Sequence, residues 1–91
     1  MEKTESTMTE DEFEIIDQLY FVSSYQELTQ SSQINEEVIH LVLWNLMEKG
    51  WVKCLNNPET EIWPDQNDFA ANYSKYYYLA TKKGLFKHNE I

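Results

Sequence analysis

The chain changes from a helical to a strand-like pattern at Gly50, and this change limits the fold more than any other feature. Before it, residues 36–49 carry apolar side chains at helical spacing. Asn35 is a suitable N-cap, and Ile34 and Ile39 are spaced for a hydrophobic staple. Because Gly is typical of helix C-termini and a β-prone run follows, the sequence predicts a helix over 36–49 that leads directly into a strand.

Two capping boxes predict two further helices before this one. In each box a hydroxyl side chain is followed three residues later by Glu, as in Thr9 with Glu12 and Ser24 with Glu27. Apolar residues recur at helical spacing after the first box, whereas the second opens a short segment. The predicted helices cover residues 10–22 and 25–31.

The second half of the chain is predicted to form the sheet. Its β-prone runs are 51–55, 61–63 and 76–79, and residues 64–75 are interpreted as a long loop or a loop with one helical turn. We expect a disordered tail at 1–8 and a single domain at 9–91. The predicted fold class is α+β, with three helices followed by two or three antiparallel strands.

Charge is distributed unevenly along the chain. There are 16 acidic residues against seven Lys and no Arg; residues 1–48 carry a net charge of −10 and residues 49–91 carry +1. Affinity for nucleic acids comes largely from Lys and Arg that neutralise phosphates. The helical half is therefore predicted to repel DNA, although net negative charge also simply favours solubility.

No catalytic or metal-binding motif is recognised. The chain has two His and one Cys and no Gly-rich phosphate loop. Asp65-Gln66-Asn67-Asp68 begins like a calcium loop, but Phe69 stands where a ligand is needed. We therefore predict no enzymatic activity, no metal and no cofactor. Cys54 is expected to be a small buried hydrophobic residue.

A cytoplasmic location is expected, with no membrane association. The N-terminal residues are polar and acidic, unlike a secretory signal, and no apolar run is long enough to span a bilayer. A single cysteine cannot form an internal disulfide, which fits a reducing compartment.

Two segments resemble the winged helix-turn-helix domains of MarR-like and PadR-like transcriptional regulators. Leu43-Trp44-Asn45-Leu46-Met47-Glu48-Lys49-Gly50-Trp51-Val52 is similar to the end of their third helix and the start of the wing. Tyr77-Tyr78-Leu79-Ala80-Thr81-Lys82-Lys83-Gly84 is similar to the strand and turn that close the wing. The resemblance covers residues 10–87 and implies a winged-helix fold. It also implies that the third helix enters the DNA major groove.

The third helix lacks the chemistry that this role requires. At about 100° per residue, its outer face carries Glu37, His40, Leu41, Trp44 and Glu48, rather than the basic and amide side chains that read bases. Trp44 has two interpretations. It either completes a small core by packing against the wing or the first helix, or it is the centre of an exposed protein-binding patch.

Two functions from different classes follow. The first is a regulatory protein-interaction module that uses the five residues of the outer face of the third helix. The second is a DNA-binding transcriptional regulator that uses the third helix (36–49) and the wing. Its only candidate residues for a basic surface are Lys75, Lys82, Lys83 and Lys87. A homodimer is also expected, because the apolar stripe of the first helix is wider than three small helices need to cover.

Overall fold

The computed structural model describes residues 7–90, which form five helices and one four-stranded antiparallel sheet. The α+β class is confirmed, with more elements than expected. In chain order these are α1 (Glu10–Asp17), β1 (Ser23–Ser24), α2 (Tyr25–Ser31), α3 (Glu36–Glu48), β2 (Val52–Asn57), β3 (Thr60–Ile62), α4 (Gln66–Asn72), a 3-10 turn (Tyr73–Lys75), β4 (Tyr77–Ala80) and α5 (Lys82–Asn89).

Both capping boxes form as predicted. The Thr9 hydroxyl accepts from the Glu12 amide at 3.1 Å, and the Glu12 carboxylate accepts from the Thr9 amide at 3.0 Å. Ser24 and Glu27 repeat the arrangement at 3.1 and 2.9 Å. Each box satisfies two amides that would otherwise lack a partner, so α1 and α2 begin where the sequence predicted.

The predicted C-terminal end of the first helix is wrong. α1 ends at Asp17 rather than residue 22, because the next residues join the sheet. The Leu19 carbonyl accepts from the Ala80 amide at 3.0 Å, and Ser23 and Ser24 then pair with β4 as an edge strand. Pairing with a strand more than fifty residues away outweighs the local helical pattern, and it leaves Phe21 84% exposed.

The four strands lie in the order β1-β4-β2-β3, and every neighbouring pair is antiparallel. The expected sheet had two or three strands; the additional one is β1. In the register, Cys54 of β2 lies between Tyr78 of β4 and Ile62 of β3. Since side chains alternate along a strand, this row faces the helices and the next row faces away.

α3 is the central helix of the core and ends in a Schellman motif. Gly50 has φ 77°, its amide donates to the Met47 carbonyl at 3.0 Å, and the Trp51 amide donates to the Leu46 carbonyl at 2.9 Å. This conformation favours Gly and turns the chain into β2. The predicted burial of Val42 and Leu46 is confirmed, at 7% and 0% exposure.

Two helices lie where the sequence reasoning expected a loop and a turn. The Asp65 side chain caps α4, and the Thr81 hydroxyl caps α5 by accepting from the Gly84 amide at 3.0 Å. Residues 64–75 are therefore mostly helical. The segment 81–84 begins α5 rather than only closing a wing.

A partly buried ion pair joins the start of α1 to the end of α3. The Lys49 ammonium lies 2.7 Å from the Glu12 carboxylate, whose side chain is 4% exposed, and it also lies over the Trp51 ring. Met8, at the end of the predicted tail, is buried against the core. Residues 1–6 of that tail, and residue 91, lie outside the described residues.

Candidate functional site

The outer face of α3 is partly exposed, as its helical period predicted. Glu37 and Glu48 are exposed and Leu41 is 57% exposed. The two carboxylates lie near opposite ends of the helix, and the apolar Leu41 lies between them. This part of the predicted surface is accessible to a partner.

His40, expected on the exposed outer face, is not fully exposed, and Trp44 adopts the first of its two interpretations. Both are half-buried, because α4 and the 3-10 turn cover this part of α3. Trp44 packs against Phe69 with ring centroids 5.2 Å apart, and His40 stacks on Tyr73 at 4.4 Å. Trp44 therefore extends the core, as the first of its two interpretations held, although it packs against α4.

Trp44 also lines an open cleft. We call this cleft, between the C-terminal half of α3 and the end of β3, the α3–β3 groove. Its volume is about 250 Å³. Its apolar lining consists of Trp44, Met47, Val52, Cys54, Ile62, Trp63 and Pro64.

Trp63 is the residue that sequence reasoning missed. Its side chain is 81% exposed at the end of β3, immediately before Pro64. A large exposed aromatic side chain beside an apolar cleft is typical of a binding surface. The available sequence signal was the Trp-Pro pair, since Pro cannot continue a central strand and marks the end of the hairpin.

The charged residues at the rim of the groove are two acids and one base. Glu48 and Glu61 are the acids. The one basic residue of the lining, Lys53, has its ammonium 3.9 Å from the Glu61 carboxylate. An apolar ligand with positive charges on its flanks would complement this rim.

The four lysines proposed for nucleic-acid binding are not brought together. Lys82, Lys83 and Lys87 lie on α5, whereas Lys75 ends the 3-10 turn before β4. The strand between them has four residues, so Lys75 and Lys82 are separated along it by roughly 20 Å. One monomer thus offers a small basic cluster and a separate Lys.

We call the side of α5 that carries Lys82, Lys83, Phe86 and Lys87 the α5 ridge; Lys82, Lys83 and Phe86 are exposed and Lys87 is half-buried. Phe86 is 67% exposed, and it lines a second cleft with Lys83, Lys87 and the end of α3. Lys87 pairs with Glu90 at 3.2 Å. The ridge therefore presents an aromatic side chain among positive charges.

Three titratable side chains outside the two surfaces, His88, Tyr25 and Tyr78, are buried in the fold. His88 is buried on the inner side of α5, where it stacks on Phe13 at 4.0 Å and its Nδ1 lies 3.1 Å from the Tyr20 hydroxyl. Burial raises the pKa of Tyr25 to about 12 and also raises that of Tyr78, so both stay neutral phenols at ordinary pH. Among residues 7–90, no three His, Cys, Asp or Glu side chains form a group that could hold a metal ion.

Cys54 is expected to be unreactive in the folded protein. Burial raises the pKa of its thiol to about 12, against a backbone hydrogen bond from Leu55 that lowers it. At about pH 8, reaction with an aromatic disulfide reagent should be at least ~100-fold slower than in the unfolded chain. In the unfolded chain the thiol ionises near its usual pKa of 9.0, whereas in the folded chain it stays protonated up to about pH 12. The stability that burial of the neutral thiol contributes is therefore complete below pH 9 and is lost as the pH rises towards about 12. Rapid native labelling would contradict the burial of β2.

Comparison with known proteins gives no match to a family model, to a curated protein or to a solved structure. Among the described helices, none combines the length and the apolar character needed to cross a membrane. The functional inference therefore rests on the two surfaces, the α3–β3 groove and the α5 ridge.

Proposed function

We propose that the protein is a non-catalytic, winged-helix-like module that binds a protein partner in the α3–β3 groove. The observation that carries this proposal is the exposed Trp63 beside an apolar cleft with acidic residues on its rim. A central aromatic residue with a polar rim is the arrangement in which a few side chains supply most of the binding energy.

The order of elements supports the winged-helix part of the proposal. A short strand between the first two helices pairs with the last strand, and the hairpin follows the third helix. In this interpretation β2 and β3 with the α4 insertion are the wing. The groove then lies where such modules place their recognition helix beside the wing.

Charge and exposure favour a protein over DNA at this position. Glu37 and Glu48 occupy the accessible side of α3, and Glu61 lies beside the groove. Phosphates brought to this surface would meet carboxylates, with Lys53 already beside Glu61. The single buried thiol supports placing the module in the reducing cytoplasm.

DNA binding is the second candidate function, and the α5 ridge is the observation that favours it. Lys82, Lys83 and Lys87 would have to contact phosphates from outside the α3 face. A dimer would double this cluster, and Lys75 of each chain would add to its charge. Such binding would depend on backbone charge rather than on bases, because the chain has no Arg.

We expect no tight binding to duplex DNA at about 150 mM salt, with dissociation constants weaker than about 10⁻⁵ M by fluorescence anisotropy. Glu37→Lys together with Glu48→Lys should strengthen non-specific binding at low salt, since the two acids are exposed on α3. A wild-type dissociation constant near 10⁻⁸ M with a steep salt dependence would refute the proposal and support the second function.

The groove itself is tested with two short synthetic peptides. One has a central Phe flanked by Lys, and the other has Glu at the same positions. We expect the Lys peptide to change the Trp fluorescence and to bind at least ~10-fold more tightly than the Glu peptide. Trp63→Ala should abolish the difference. Equal binding of both peptides, or binding that survives Trp63→Ala, would exclude the groove as the site.

A further inference from the structure

The α5 ridge has the chemistry that the α3–β3 groove would accept. Phe86 is two-thirds exposed, and Lys82, Lys83 and Lys87 surround it in the sequence. Neither Lys82 nor Lys83 forms an ion pair with another residue of the described chain, 7–90. Both occupy the first turn of α5, where positive charge is unfavourable to the helix dipole.

The groove and the ridge are neighbours on one surface. Glu48 lines both the groove and the cleft beside Phe86. Gly50 lines the groove, and the Lys83 side chain passes within 3.8 Å of where a Cβ of residue 50 would lie. When complementary features lie side by side, a twofold axis between two copies lets each ridge meet the other groove.

We propose that two copies of this chain form a reciprocal dimer in which Phe86 of each enters the α3–β3 groove of the other. The lysines of the ridge would face the acids of the rim, Glu48 and Glu61. This inference rests on the proposed function, because it names a second copy as the protein that the groove binds. The contact is closed, so it gives a dimer rather than a filament.

The dimer interface therefore differs from the one that the sequence suggested. The apolar residues of the first helical segment, Ile15, Ile16 and Leu19, are fully buried in the chain's own core. The apolar stripe of α1 packs against α3 and α5. Phe21, 84% exposed in the turn after α1, is the aromatic side chain that remains there and serves as a control.

Sedimentation of the full chain over a dilution series tests the proposal. We expect a dimer with a dissociation constant in the micromolar range and with salt-dependent affinity. Phe86→Ala and Trp63→Ala should each weaken it at least about 30-fold. Because both side chains are exposed, the melting temperature should be unchanged at concentrations where the wild type is monomeric. Phe21→Ala, which removes a more exposed aromatic side chain, should leave the dimer intact.

Mixing Phe86→Ala with Trp63→Ala tests whether Phe86 of one chain contacts the groove of the other. A heterodimer of Phe86→Ala with Trp63→Ala keeps one complete contact, formed by the intact Phe86 of one chain and the intact groove of the other. It should therefore associate at least about 5-fold more tightly than either variant alone. No gain on mixing would overturn the reciprocal geometry.

The outcomes also separate this inference from the proposed function. A wild-type monomer at about 100 μM, together with normal binding of the Lys peptide, would overturn the dimer and leave the groove as a site for another protein. Loss of the dimer in Phe21→Ala would place the interface at the turn after α1. Larger open assemblies would overturn the twofold arrangement.

Discussion

Gly84→Ala is expected to lower the free energy of unfolding by about 3 kcal/mol or more. The first turn of α5 lies directly against the backbone of Trp51, so that a Cβ at residue 84 would fall 2.1 Å from the Trp51 carbonyl oxygen. That oxygen also accepts from the Thr81 amide at 3.0 Å, which holds the helix in place. Relief of the clash requires α5 to move away from the turn between α3 and β2. Overpacking typically costs about 1–3 kcal/mol. Because backbone atoms cannot move aside as side chains do, we expect a loss of stability at or above the upper end of this range.

Thermal and urea unfolding measure this effect, with Gly50→Ala as the matched control. For a domain of this size, 3 kcal/mol corresponds to a melting temperature lower by about 12 °C or more. Gly50 has φ 77° but its Cβ would meet only the end of Lys83 at 3.8 Å, so strain of about 1–2 kcal/mol is expected. If Gly84→Ala proves as stable as Gly50→Ala, α5 is not docked on Trp51.

The elements that sequence analysis placed correctly are those specified by local contacts. α2 matches its predicted bounds, and α3 ends within one residue of them. Their signals are side chains acting on amides two or three residues away, as Asn35 does for the Glu37 amide at 2.8 Å. Because these contacts need no distant partner, the sequence alone predicts them.

The elements that it missed depend on contacts between distant parts of the chain. α1 stops at Asp17 because Leu19 pairs with Ala80. α5 contains Gly84, a residue type that is unfavourable in helices. Only Gly fits at this position, because a Cβ would clash with the backbone of Trp51. Asp65 was considered as a metal ligand, whereas its carboxylate accepts from the Asp68 amide at 2.8 Å and begins α4.

In the candidate site, too, the features that depend on local sequence were predicted and those that depend on distant contacts were not. The helical period of α3 correctly predicted the exposure of Glu37, Leu41 and Glu48. It could not show that the segment after β3 folds as a helix, α4, that packs on Trp44. The sequence also did not predict a binding role for Trp63, because the cleft beside it forms only when α3 and the end of β3 pack together.

Trp44→Ala is expected to destabilise the fold by about 2–3 kcal/mol. The indole packs on Phe69, which is 3% exposed and holds α4 against the core. Fully buried aromatic residues cost about 3–5 kcal/mol when truncated to Ala, and Trp44 is half-buried, so a smaller loss is appropriate. The melting temperature should be lower by about 10–15 °C, and hydrogen exchange should show earlier opening of α4 than of α2.

Trp63→Ala is the matched control, since it also removes an indole side chain that lines the groove. Trp63 is 81% exposed, so its loss should change stability by no more than about 0.5 kcal/mol. The two tryptophans thus have different roles. Trp44 packs on Phe69 and stabilises the groove, whereas Trp63 is exposed and can contact a ligand. Equal melting temperatures for the two variants would show that α4 does not depend on Trp44, and Trp44 would then return to the set of exposed binding residues that the sequence proposed.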